Sequence, residues 1–461
     1  MTMRFEQILA EGVAQCSYLL GDTGSGTAAV VDPRPDCDVY IARARALGLV
    51  ITHVFETHIH ADFLSGAREL VDRLDGAAEL CVSAEGGAEY GFEHRSIRDG
   101  DTFRFGDLTL TVRHTPGHTP EHVSFLLHEK GNDAPWGVLS GDAFFVDSVG
   151  RPDLLGDEKT DELTEALFRT TQDTFMQMPD GVIVYPCHGA GSDCGPDIGD
   201  RMSTTIGYER RHNKYVQITE PDAFKAEMTG DAPPVPTHYP RLKKVNAAGP
   251  DILRRLPACA GMTPGRFEAL VQDRAIQVLD VRDMLAFGGG FIDGAINIGL
   301  QPELSVWAGW LLDPEKPIAL VTENDGQVAE AVQLLWRVGF TRFAGYLAGG
   351  IGAWRESGRP MAHIRQMTVQ ELEKAAVCPL DVRKDEEWND GHIPNARHAF
   401  LGQFEDEIDG LARDATYATY CHTGFRASIA ASLLHRAGFE NVFNVPGSFA
   451  AWQAQGYRVV S

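Results

Sequence analysis

Cysteine is scarce in this 461-residue chain, basic side chains are outnumbered, and long apolar runs are missing. The 8 cysteines are too few and too scattered for the disulfide framework of a small secreted domain. Each therefore reads as a buried small side chain or a reactive thiol. Basic residues number 41 against 65 acidic ones, a formal charge of −24. That balance disfavours nonspecific nucleic-acid binding and attraction to an anionic membrane, both of which need basic patches. The opening MTMRFEQILAEG has no continuous apolar stretch, and no later segment is long enough to cross a bilayer. The expected location is the cytoplasm, with no membrane partner. The chain is 43% hydrophobic and 23% charged, so it can bury real cores. Its length points to about three domains at roughly 150 residues each.

The first half alternates strand-like runs with Gly, Pro and Asp turns: SYLLGD, AAVVDP, LTLTVRHTPGHT, HVSFLL, WGVLSGD and GVIVYPCHG. Helical patterns, such as residues 64–74, lie between them. The Pro-rich stretch 231–250 reads as a linker or surface tether. An internal repeat follows it. Asp280-Val281-Arg282 recurs as Asp381-Val382-Arg383, GFIDGA (290–295) as GHIPNA (391–396), and WRVGF (336–340) as HRAGF (435–439). Each copy alternates strand and helix, which predicts a parallel sheet with helices on both faces. The expected organisation is one large domain, 1–245, followed by two small α/β domains, 246–362 and 363–461.

Chemistry-bearing residues gather at strand ends in the first domain, where loops collect polar side chains. FETHIHADFLSG (55–66) carries His58, His60 and Asp62 at alternate positions. PGHT with His118, SGD with Asp142, and YPCHG with His188 follow in series. One such residue alone is best read as a surface or satisfied core group; four clusters in this order point to a metal site. Residues 5–230 resemble the metallo-β-lactamase superfamily, which implies an αββα sandwich with metal held by the loops of two sheets. Dinuclear hydrolases of that superfamily carry HxHxDH, whose last His binds their second metal. Here that position is Phe63, which cannot coordinate, so a single metal is favoured.

The sequence is similar to the persulfide dioxygenase (sulfur dioxygenase) branch, which uses one Fe(II) per chain and O2 as co-substrate. The resemblance implies His58, His118 and Asp142 as iron ligands. Two histidines and a carboxylate suit a non-haem ferrous oxygenase because positions stay open. His60, Asp62 and His188 then become groups that orient the ligands or meet substrate. Arg151 has two readings of equal weight, an anion-binding guanidinium or a salt bridge to Asp153 or Asp147. Cys194 is a candidate for passing sulfane sulfur, whereas Cys187 and Cys16 read as buried small residues.

In the second repeat a strand (417–420) runs into Cys421, His422, Thr423, Gly424, Phe425 and Arg426, and an apolar helix begins there. A Cys at a strand-to-helix turn sits among helix N-terminal N–H groups that favour a thiolate or persulfide. Residues 365–461 resemble an active rhodanese domain, with Cys421 as sulfur acceptor and Arg426 neutralising the persulfide. A Cys-dependent phosphatase loop has five residues between Cys and Arg; this one has four, too tight for phosphate. Asp381 and Arg383 read as a structural ion pair. The first copy has Thr322 and Gln327 where Cys421 and Arg426 stand, so it resembles a degenerate rhodanese with a scaffolding role.

The resemblance as a whole is to fusions of a persulfide dioxygenase with one degenerate and one active rhodanese domain. It implies oxidation of a low-molecular-weight persulfide, of glutathione, coenzyme A or bacillithiol type, to sulfite and thiol. Sulfur transfer between persulfide and sulfite or thiosulfate, in a homo-oligomer, would accompany it. Two other readings remain: a dinuclear-zinc thioesterase of the glyoxalase II kind with a sulfurtransferase tail, and a non-enzymatic sulfur carrier or sensor.

Overall fold

The computed structural model describes residues 2–230, 233–273 and 275–461. They form two compact units, one running to Arg255 and one from Leu256, with the short segment Trp336–Gly339 belonging to the first. The first unit is a sandwich of two six-stranded sheets. One holds β1 (Met3–Ala10), β2 (Gln15–Asp22), β3 (Thr27–Val31), β4 (Val50–Phe55), β5 (Glu79–Ser83) and β6 (Arg95–Ile97) in chain order. The other runs β12 (Thr204–Thr205), β11 (Ile183–Pro186), β10 (Gly137–Gly141), β9 (Val123–Glu129), β8 (Leu108–His114), β7 (Thr102–Phe105).

The two-residue period of a strand decides which side chains face which layer. Cys16, Tyr18 and Leu20 turn inward onto Phe105, Leu110 and Phe125 of the facing sheet. Their alternates Leu19, Ala28 and Val30 turn outward against Tyr40, Ala44 and Leu70. Those last three come from the helices Asp38–Leu47 and Ala67–Arg73. On the far side, Val138 and Val184 pack against Leu167, Ile206 and Phe224. These belong to the helices Asp157–Arg169, Ile206–His212 and Pro221–Thr229. The layers are therefore α, β, β, α, as the sequence predicts. The inner strands β2, β3 and β10 are buried on both faces, whereas β6 and β7 at the sheet edges keep an exposed side. Each buried Leu or Phe contributes roughly 1.5–3 kcal/mol.

The stretch that reads as a tether is different in the structure. Asp231 and Ala232 lie outside the described residues, but Tyr239–Ala248 forms a helix. Pro240 stands in its first turn, where a missing N–H costs nothing. Tyr239, Leu242 and Asn246 are buried along one stripe, which ties the helix to the first unit. The expected border at 245/246 thus falls inside a helix. The Pro-rich composition before it hid a short amphipathic pattern.

The second unit contains two five-stranded, wholly parallel sheets of the same order. The first is β13 (Gly261–Met262), β17 (Phe343–Leu347), β16 (Ile318–Val321), β14 (Gln277–Asp280), β15 (Ile296–Asn297). The second is β18 (Arg365–Gln366), β22 (Val442–Asn444), β21 (Tyr417–Tyr420), β19 (Cys378–Asp381), β20 (Arg397–His398). The repeated Asp-Val-Arg plays one structural part in both. Arg282 grips Asp280 and donates to the Gly290 carbonyl at 2.9 Å; Arg383 grips Asp381 and donates to the Gly391 carbonyl at 2.8 Å. No helix among the described residues is long and apolar enough to cross a membrane.

Candidate functional site

The loops after β4, β8, β10 and β11 bring His58, His118, Asp142 and His188 together, all buried. One ligating atom from each of His58, His118 and Asp142 lies within 4.8 Å of the other two. His58 Nε2 and His118 Nε2 stand 3.6 and 3.5 Å from Asp142 Oδ2. Neighbouring hydrogen bonds fix which nitrogen of each ring is bare. Thr57 Oγ1 donates to Asp32 Oδ2 at 3.0 Å, so it accepts from His58 Nδ1–H at 2.9 Å. His118 Nδ1–H donates to the Arg151 carbonyl at 3.0 Å. Both Nε2 lone pairs are left facing Asp142. Among the described residues, His58 Nε2 and Asp142 Oδ2 are buried with no hydrogen-bond partner. Two bare imidazole nitrogens and one bare carboxylate oxygen, buried and convergent, fit a metal cation.

Electrostatics favour neutral imidazoles and an ionised carboxylate in this cluster. Burial holds the His58 pKa well below the usual imidazole value, and His60, His118, His122 and Lys243 push the same way. Burial also lowers His118. Asp142 is held below the carboxylate range: burial opposes this, but the His188 charge and hydrogen bond prevail.

The remaining polar residues do not join the triad. His188 donates from Nδ1 to Asp142 Oδ1 and from Nε2 to Asp62 Oδ2, 2.7 Å each. With both nitrogens committed, it orients Asp142 rather than coordinating. Burial disfavours its charge, but the two carboxylates raise its pKa well above normal. His60 Nε2 donates to Asp32 Oδ1 at 3.1 Å. The Phe63 ring packs 4.4 Å from that of His60, so this position offers carbon and no ligating atom.

Of the two readings of Arg151, the structure shows the salt bridge. Its guanidinium holds Asp153 through two bonds of 2.9 and 2.6 Å and donates to the Pro233 carbonyl. Asp147 pairs instead with Arg201. The contribution of Arg151 to the site is its carbonyl, which fixes His118. Cys194 lies beside Asp62 and His188, with Tyr239 Oη 3.9 Å from its sulfur. Burial pushes its pKa, and that of Cys187, well above the ordinary thiol value.

Sequence reasoning missed three residues. His122 Nε2 accepts the Asp142 N–H at 2.9 Å and its Nδ1–H donates to Thr115 Oγ1. Burial lowers its pKa to about 3, which keeps that acceptor lone pair available. A Cβ on Gly141 would lie 2.3 Å from the same nitrogen, and Gly141 has φ of 54°, so only glycine fits. The second PGHT-like spacing, HTPEH, was the available signal. The other two, Lys243 and Asn246, come from the Tyr239–Ala248 helix. Asn246 Nδ2 donates to the carbonyls of His60 and Phe63, 2.8 Å each, and its Oδ1 accepts from Ser65 N at 3.0 Å. Lys243 is half-buried, and its charge depresses His58 and His118. No local sequence cue links this helix to the site.

In the second unit, Cys421 follows β21 and is buried. Gly424 N–H donates to its sulfur at 3.1 Å. The carbonyls of Cys421, His422 and Thr423 turn away, accepting from Phe449, Ala450 and Gly447 at 2.9–3.0 Å. His422 and Thr423 are exposed, Phe425 half-buried. Arg426 is less free than the sequence implies: it holds Glu387 through bonds of 2.5 and 2.8 Å. Burial opposes its charge, while Glu387 and the neighbouring Cys421 raise its pKa. In the first copy Thr322 is buried in the corresponding place, and the Gln327 side chain accepts from Glu323 N.

Comparison with known proteins agrees with this division. Residues 11–188 match the metallo-beta-lactamase superfamily, and residues 263–357 and 367–455 match the Rhodanese-like domain. The mitochondrial persulfide dioxygenase ETHE1 of Bos taurus is 31% identical over 173 residues, 37% of this chain. That of Homo sapiens is 32% identical over 174 residues. The chain spans 63% of the length of each. A metallo-beta-lactamase crystal structure from Staphylococcus aureus subsp. aureus COL is 32% identical, with a TM-score of 0.68. It matches 76% of this chain and 99% of its own. The chain belongs to the metallo-β-lactamase superfamily, as a relative of the persulfide dioxygenases fused to two rhodanese-like domains.

Proposed function

We propose that the protein is a bifunctional sulfide-oxidation enzyme. The first unit oxidises a low-molecular-weight persulfide, RSSH + O2 + H2O → RSH + SO3²⁻ + 2H⁺, with four electrons passing from the sulfane sulfur to dioxygen. The observation that carries this is the buried, partnerless convergence of His58 Nε2 and Asp142 Oδ2 with His118 Nε2, beside Phe63. A single ferrous ion held there supplies the redox chemistry that joins dioxygen to sulfur. The protein groups position and balance charge around it. His188 keeps Asp142 turned to present one oxygen, and the Arg151 carbonyl keeps His118 presenting Nε2. Lys243 offsets the acidic field for an incoming anionic persulfide. The buried wall of Phe63 and Phe145 limits water.

The second unit moves sulfur. Cys421 takes a sulfane sulfur from a persulfide and passes it to sulfite: Cys–S–S⁻ + SO3²⁻ → Cys–S⁻ + S2O3²⁻. The S–S bond to Cys421 breaks as the new bond to sulfite forms, and the electron pair returns to the Cys421 sulfur. The commitment of both His188 nitrogens to carboxylates, with Phe63 beside them, weighs against the dinuclear-zinc hydrolase. The test is an oxygen electrode with glutathione persulfide, alongside elemental analysis. Iron near one per chain and O2 uptake are expected; an iron-loaded sample that takes up no O2 refutes the proposal.

A further inference from the structure

The degenerate repeat touches the loop it cannot itself form. The helix Phe425–Arg436 begins at the Cys421 loop, and Ala427 to Leu434 are buried without interruption. A helix lying on one sheet buries a stripe; one buried all round has cover on both sides. The first copy provides that second cover. Ser428 Oγ donates to Asn297 Oδ1 at 2.6 Å, and Asn297 N–H donates to Ser432 Oγ at 3.1 Å. One turn on, the His435 ring packs 5.1 Å from that of Phe291 and pairs with Asp293. Positions 428, 432 and 435 share one face of the helix.

The contact reaches the reactive loop. A Cβ on Gly424 would meet Met284 Sδ at 2.9 Å and Met284 Cε at 3.2 Å. A Cβ on Gly299 would lie 3.4 Å from the Phe425 ring. Gly424 is the residue whose N–H holds the Cys421 sulfur, and its φ of 119° is open to glycine. Met284 thus lies against the backbone that cradles Cys421, and it is half-buried rather than lost in a core. A thioether there is soft and apolar, suited to lining a sulfur-binding pocket.

We propose that Met284, reaching from the degenerate copy, walls the sulfur pocket of the active copy and limits the size of the acceptor that reaches Cys421. The proposal rests on the reading of Cys421 as the sulfur-accepting residue. It gives the first copy a part in specificity that needs no cysteine of its own.

The test measures access directly, on the full chain. Cys421 is modified with iodoacetamide and with a fluorescein maleimide, and the Cys421 peptide is quantified by mass spectrometry. Met284→Ala should raise the maleimide rate relative to the iodoacetamide rate about tenfold, the scale of discrimination one pocket side chain sustains. Met284→Trp should lower the same ratio, and Met284→Leu should leave it near wild type. Equal ratios in the Ala and Trp variants overturn the wall. Thiosulfate loading is scored in parallel as a gain of one sulfur atom on Cys421. Loading that is intact while the ratios stay equal refutes the wall alone. Absent loading while the ratios respond refutes the sulfur-acceptor reading, and the acceptor part of the proposal with it.

Discussion

Asn246→Ala tests whether the helix Tyr239–Ala248 is part of the metal site. Asn246 is buried and ties three backbone groups of the ligand loop, the carbonyls of His60 and Phe63 and the N–H of Ser65. Truncation removes all three hydrogen bonds at once. At about 1 kcal/mol net each, and more where a buried group is left without a partner, the loss is roughly 3–5 kcal/mol. At 2–4 °C per kcal/mol for a unit of this size, the first unit should melt about 6–20 °C lower. Calorimetry of the full chain reads this as a shift of the transition that contains the first unit. The loosened loop carries His58, so iron should also leave faster to a chelator. Lys244→Ala, an exposed neighbour on the same helix, serves as the control and should change neither reading. A first-unit melting shift below about 2 °C, with wild-type iron retention, would refute the reasoning.

Three other outcomes follow from the geometry. Cys421→Ser should abolish thiosulfate formation while sulfite production continues; loss of both in a folded protein would deny separable sites. Lys243→Gln should raise KM for an anionic persulfide by roughly 5- to 30-fold, about 1–2 kcal/mol, with kcat nearly kept and salt dependence weakened. An unchanged KM across ionic strengths would remove Lys243 from substrate binding. The Glu387 carboxylate is opposed by burial but drawn below its usual pKa by Arg426. Its depressed folded value means the pair stabilises fully above the ordinary Glu range and is lost as pH falls through that value. Glu387→Gln should therefore flatten the acid side of the second unit's stability profile, and an identical profile would show the pair to be inert.

The convergence of His58, His118 and Asp142 was legible because each sits in a short motif at a strand end. The Cys421 loop was legible from its four-residue spacing and the following apolar helix. The repeat was legible because the Asp-Val-Arg pair does the same structural work in each copy. Asn246 and Lys243 were not, since they reach the site from a helix masked by Pro-rich composition, with Asn246 bonding to a loop 183–186 positions earlier in the chain. His122 was visible in HTPEH, but its service to the Asp142 backbone was not.

The sequence by itself determined the αββα sandwich, the two parallel repeats, the chemical types gathered at each site and the absence of a second-metal histidine. These depend on periodicity and on short motifs, which are local properties of the chain. Only the tertiary structure decided how charge and protons are shared. It tied Arg151 to Asp153, gave Arg426 to Glu387, placed His188 between two carboxylates and set Met284 against Gly424. The reason is physical: a charge or a lone pair is assigned by distance and burial, and both arise only when remote segments meet.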